Sequence, residues 1–217
     1  GKKIGILAFS QRPENFSKTP LYWSLPEYKE IESEILKLSE CDYKIAYIHW
    51  GNEFINYPYS DQKQFAHWMI ENGIDLIIGM HPHVLQGYEI YKGKYIFYSL
   101  GNFLFNMPWA NTKYSAIVHV DVENYFTISY DYVYIGDDYF PRVIHENIMP
   151  AKFHFEYLNT LLDKCVENEV YYRDVFRGMA KYRKANNVAF LKNLYRFKIK
   201  DMTAVIKDYT RRKLNLL

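Results

Sequence analysis

The chain has 217 residues, with 27 Lys/Arg against 25 Asp/Glu, a formal net charge of +2, 49% apolar and 18% aromatic residues. Such a composition can fill the core of one domain, or of one domain with an appendage, and argues against a disordered chain. Two distant cysteines, Cys41 and Cys165, argue against a disulfide framework or a cysteine zinc site and read as small core residues. The longest apolar runs are too short to cross a bilayer, and no signal peptide is visible, so the expected location is cytoplasmic or membrane-associated.

Residues 3–9 (KIGILAF) form a continuous apolar run of the kind buried in a parallel sheet. After a polar loop, Ser24 and Glu27 have capping-box spacing and predict a helix to about residue 38. A strand over 43–49 ends at His49. Ser60 or Asp61 then opens a helix to residue 72, which Gly73 closes. A second buried strand, 74–79 (IDLIIG), leads directly into Met80-His81-Pro82-His83. Further strands are expected at 94–100, 114–122 and 125–135, the last two alternating as half-exposed antiparallel strands do. Strand and helix alternate in the first part, which predicts an α/β layered core with parallel pairing over residues 1–150.

From residue 151 the apolar spacing becomes helical, predicting a C-terminal helical extension over 151–217. Charge divides the chain in nearly the same place. Residues 171–217 hold 13 Lys/Arg and 3 Asp/Glu, a net of +10, whereas residues 1–170 hold 14 and 22, a net of −8. The basic residues, from Arg173 and Lys181 to Lys200 and 211–213, share helices with Phe176, Tyr182, Phe190 and Phe197. That face could meet an anionic membrane surface or an acidic polymer, or could simply be solvated. No nucleic-acid motif accompanies it, so nucleic acid is not an expected partner.

His49, His81 and His83 stand at the carboxyl ends of predicted strands, where α/β sheets place their ligand crevice. Three imidazoles on one edge could hold Zn, Mn or Fe, although surface or core histidines would show the same spacing. His67 reads as a packing residue on its helix, and His119, His145 and His154 as surface or strand residues.

A wider string of residues narrows this reading. His49-Trp50-Gly51-Asn52-Glu53, Gln62 with His67, Gly79 to Gly87 (GMHPHVLQG), and Tyr98-Ser99-Leu100-Gly101-Asn102-Phe103 together resemble the CapA family of capsule and poly-γ-glutamate biosynthesis proteins. The resemblance runs from about residue 43 to 105 and covers the second half of the family's domain. It implies a calcineurin-like metallophosphatase fold in which His49 and His81 bind one divalent metal ion and His83 the other. Glu53 would orient a ligand, accept a proton or touch a metal, unless it is only a solvated loop carboxylate. Asn102 would donate to substrate or to metal-bound water, unless it is there for its turn geometry. Trp50, Tyr98 and Ser99 are candidates to line a substrate cleft, Trp50 equally to seal the sheet edge. Gly51, Gly79 and Gly101 are expected to permit tight turns.

The family's upstream aspartate and asparagine motifs have no counterpart before His49; Glu14 and Asn15 are the only early candidates. The expected function is a metal-dependent phosphoesterase-like hydrolase, or an accessory protein, acting on an anionic surface polymer or its precursor. The alternative is a non-catalytic binding module with an incomplete metal site.

Overall fold

The computed structural model describes residues 1–13, 22–105, 107–123, 126–163 and 167–196, and beyond these 198, 202–204, 206, 207 and 210. Glu14, Asn15, Cys165, Phe197, Lys200 and 211–213, all singled out above, lie outside the described residues.

Five strands form the main sheet: β1 (Ile4–Ser10), β2 (Tyr43–His49), β3 (Leu76–Met80), β4 (Tyr88–Tyr91) and β5 (Lys94–Phe97). Their order is β1-β2-β3-β5-β4. The first four in that order are parallel and β4 closes the edge antiparallel to β5. The crossovers carry α1 (Tyr28–Lys37) and α2 (Ser60–Glu71). A second, antiparallel sheet holds β6 (Tyr114–Asp121), β7 (Thr127–Ile135) and β8 (Pro141–Ile144), and α3 (Phe155–Leu162) and α4 (Asn168–Lys192) follow. The chain is thus a mixed α/β fold, as its alternating pattern predicts. Neither β4 nor β8 is apparent in the sequence: four residues are too few for a period-2 pattern to stand out.

Two helix starts differ from expectation. Ser24 does not cap α1, because it lies in a bridge alongside Ser10 at the end of β1. The cap falls three residues later, where Glu30 accepts a hydrogen bond from the Glu27 N–H at 2.7 Å. Similarly, Tyr59 rather than Ser60 or Asp61 is the N-cap of α2, and its side chain makes no capping bond. The other end of α2 is as predicted, with Asn72 at the C-cap and Gly73 at φ +102°.

Alternation along the strands divides the core in two. Leu7, Phe9, Ala46, Ile48, Ile77 and Ile96 pack with Ile31 and Ile35 of α1 and Phe65, Ala66 and Met69 of α2. Leu76, Ile78 and Phe97, one residue out of phase, pack with Ala116 and Tyr132 of the second sheet and with Phe155, Leu158 and Leu161 of α3. Tyr171 and Val175 of α4 join this second cluster. Asn159 on α3 accepts from the Tyr88 N–H at 2.8 Å, fixing α3 on the edge strand. Lys63 on α2 donates to the Leu162 carbonyl at 2.9 Å, satisfying an otherwise open end of α3. No helix among the described residues is long and apolar enough to cross a membrane.

Candidate metal centre

Because β1, β2, β3 and β5 are parallel, the chain leaves all four at the same edge of the sheet. His49 is the last residue of β2, paired with Met80, and His81 and His83 follow β3 immediately. The ladder continues beyond the strands through Trp50 N–H to the Met80 carbonyl at 3.0 Å, and Phe54 N–H to the Pro82 carbonyl at 2.9 Å ties the two loops together. Glu53 sits between those two tethers. The backbone is strained here, with positive φ at Phe54 (65°), His81 (104°) and His83 (60°). Side-chain-bearing residues hold such values at a cost of about 1–3 kcal/mol each, and such outliers concentrate at functional sites.

The result is a compact cluster. One ligand atom each from Glu53, His81 and His83 lie within 4.8 Å of one another. The rings of His49 and His81 are 4.4 Å apart, and those of His81 and His83 6.0 Å. His81 Nε2 is buried and has no hydrogen-bond partner among the described residues. A buried imidazole nitrogen without a partner loses its hydration for nothing unless a ligand takes its lone pair. Two imidazoles and a carboxylate are a donor set for Zn, Mn or Fe, and donors this close can converge on one ion with small side-chain shifts. The residues present therefore fit one divalent ion.

Asn102 is positioned to aim His83. Its amide N–H donates to the Thr112 carbonyl at 3.1 Å, which turns the amide oxygen toward His83. His83 Nδ1 lies 2.8 Å from that oxygen and must donate to it, leaving the Nε2 lone pair for a ligand. In this structure Asn102 thus supports a histidine.

Three other candidates are not brought to the cluster. Trp50 is fully buried beneath the loop, with its indole N–H donating to the Tyr98 carbonyl at 2.9 Å. The Tyr98 hydroxyl donates to Glu89 on β4, and burial followed by that carboxylate raises its pKa. Ser99 donates to the Val84 carbonyl at 2.8 Å. All three hydroxyl or N–H groups are spent inside the core, so none faces a substrate. Gly51 and Gly101 do adopt positive φ at turns, whereas Gly79 lies within β3 and serves close packing instead.

Two further residues stand near the cluster that the sequence does not place there. Arg12 leaves the end of β1 and its guanidinium is close enough to depress the pKa of both His49 and His81. It has no ion-pair partner among the described residues. Tyr182 of α4 stacks on Phe54 at 4.4 Å, and Glu53 helps to raise its pKa after burial. Gly178 lets α4 approach this closely: a Cβ there would lie 2.2 Å from the Phe54 carbonyl. The sheet-edge rule could have found Arg12, but nothing local in the sequence marks Tyr182.

Burial, then the neighbouring His49, Arg12 and His83, holds the His81 pKa down to about 3, and His49 is lowered for similar reasons. Both rings are neutral near pH 7, the form that ligates metal. In the unfolded chain a histidine protonates near pH 6.5. Between about pH 6.5 and 3 the unfolded state therefore binds the proton that folded His81 refuses, and stability falls as pH falls. Thermal melts of the metal-free protein from pH 7 to 4 are expected to show a steeper loss for the wild type than for His81→Asn. Parallel curves would contradict this assignment.

The comparisons with known proteins bear on the same segment. Residues 1–107 match a family described as bacterial capsule synthesis protein PGA_cap. The family match and the curated relatives support a CapA family member over this segment. It is 37% identical over 131 residues to a capsule biosynthesis protein CapA of Bacillus anthracis, covering 59% of this chain and 31% of that one. It is 48% identical over 78 residues to a PGA biosynthesis protein CapA of Bacillus subtilis, covering 36% of this chain and 20% of that one. Two uncharacterized proteins of Sinorhizobium fredii are 41% identical over 58 residues, covering 27% of this chain and 12% of each. The chain thus spans about a third of the first relative and a fifth of the second.

Proposed function

We propose that this chain carries the histidine half of a metal-dependent, metallophosphatase-like hydrolytic centre that serves assembly of a bacterial capsule or poly-γ-glutamate polymer. The observation that carries the reading is the convergence of Glu53, His81 and His83, with His81 Nε2 buried and unpartnered, at the carboxyl edge of a parallel sheet. The match of residues 1–107 to a capsule-synthesis family supports the biological setting. The metallophosphatase-like layering of the sheet belongs to this proposal, as does work in the cytoplasm or at the membrane face.

His81, His83 and Glu53 would hold one divalent ion, Mn, Zn or Fe, with His49 beside His81 as a further donor. When bound, such an ion polarises a phosphoryl or carbonyl oxygen and stabilises the charge that develops on it. The chain's own groups supply the rest. Asn102 holds the proton on His83 Nδ1 and so keeps that ring in its ligating tautomer. Arg12, on the same edge, offers a fixed positive charge to an anionic substrate group. Glu53, the cluster's only carboxylate among the described residues, can accept a proton at its free oxygen.

That single carboxylate favours a second reading as well. Sites that hold two ions use bridging carboxylates, so the chain alone could serve as a binding module with an incomplete centre. Elemental analysis after incubation with Mn or Zn, followed by hydrolysis of p-nitrophenyl phosphate esters by the loaded protein, separates the two. About one ion per chain with turnover is the expected result. An ion without turnover supports the binding module, and no ion from excess metal refutes the hydrolytic centre.

A further inference from the structure

A cavity of about 480 Å³ opens between Pro108-Trp109 and the outer turns of α4, away from the histidines. Lys181, Lys184 and Lys192 line it, with Ala185, Val188 and Ala189 between them, and among the described residues no carboxylate contributes to its wall. None of the three ammonium groups has an ion-pair partner among the described residues. Lys181 and Lys192 are eleven residues apart, about 16 Å along the helix, so the charges form a line rather than a point. The small residues between them leave room, and Trp109 gives the trough an aromatic wall.

Packed rings join the wall of the trough to the metal centre. Trp109 meets Phe54 edge-on at 5.9 Å, and Phe54 stacks with His83 at 6.0 Å and with Tyr182 at 4.4 Å. Phe54 is also the residue after Glu53. The Lys181 end of the line is therefore the end nearer to Glu53 and His83, one residue from Tyr182, which stacks on Phe54.

We infer that this trough is a docking site for an extended polycarboxylate chain, which it guides toward the histidine cluster. The inference rests on the proposed polymer role and names where the polymer binds. Charge complementarity decides the occupant: three unpaired cations in a concave line, without a neighbouring acid, suit regularly spaced carboxylates. Trp109 and Pro108 give the line of lysines a wall on one side, which a chain can lie against.

The test is fluorescence anisotropy of a fluorescein-labelled poly-γ-glutamate oligomer titrated with the full chain in EDTA. Without metal, the trough is read separately from any hydrolysis. The triple variant Lys181→Glu/Lys184→Glu/Lys192→Glu is expected to bind at least tenfold more weakly, with a shallower salt dependence. A charge-matched control, Arg173→Glu/Arg177→Glu/Arg183→Glu on the same helix, is expected to stay within about threefold of wild type. Circular dichroism melts of both variants verify folding. Equal losses in the two variants, unchanged binding in the first, or no binding by the wild type would each overturn the inference. So would binding to phosphatidylglycerol vesicles in place of the oligomer, which would assign α4 to a membrane surface.

Discussion

Replacing His81 by Asn is expected to abolish stoichiometric uptake of Mn or Zn without lowering the stability of the metal-free protein. The two halves of that result come from one feature. His81 Nε2 is buried and unbonded among the described residues, so that nitrogen contributes no hydrogen bond there to the folded state. Asn tolerates the positive φ that His81 adopts, at 104°, better than most residues do. A residue whose loss removes ligand binding while sparing the fold is placed for function. His83→Ala is expected to lose the ion as well. Asn102→Leu should retain an ion but bind it about 10–100-fold more weakly, the usual cost of removing the hydrogen bond that orients a ligating histidine. Isothermal titration on the three variants gives the ranking. A ranking with Asn102→Leu as damaging as His81→Asn would mean that the amide itself is a ligand; normal uptake by His81→Asn would remove the centre from this position.

How much of this site could be read in advance depends on the range of the interactions that build it. The histidines were legible because a parallel sheet converts strand ends into neighbours, and β2 and β3 announce themselves as continuous apolar runs. Trp50, Tyr98 and Ser99 stand at the same strand ends, yet their side chains turn inward. Which way a strand-end residue points depends on packing across the sheet: Trp50 lies over Gly79 and reaches the Tyr98 carbonyl, forty-eight residues away. Tyr182 was out of reach for the same reason, since it meets Phe54 only after α3 and α4 have folded back along the sheet. The helix caps failed on a more local competition. Ser24 has the right chemistry for an N-cap, but its backbone is committed to the end of β1.

Gly79 is where those long-range contacts converge, and Gly79→Ala is expected to be the most destabilising small substitution in the chain. A Cβ at this position would lie 2.1 Å from the Tyr98 carbonyl oxygen and 2.3 Å from the Trp50 indole nitrogen. Neither obstacle can step aside cheaply. The carbonyl is backbone, held in place as Leu100 N–H donates to Gly79 and Tyr98 N–H donates to Gly87. The indole is fully buried and bonded to that same carbonyl. Accommodating one methyl group would therefore part β3 from the segment after β5 and strand a buried N–H, two of the mechanisms behind losses above about 4 kcal/mol. For a chain of this size that corresponds to a fall in Tm of about 10 °C or more. Trp50→Phe in the same background removes the nearer side of the indole, and the double variant should recover part of the loss, because the two substitutions act on one contact. Recovery without metal uptake would show that the strand ends had re-formed out of register with His81 and His83. An unchanged Tm in Gly79→Ala alone would mean that β3 and the segment after β5 are not packed as described, and the placement of the histidines relative to Asn102 would fall with it.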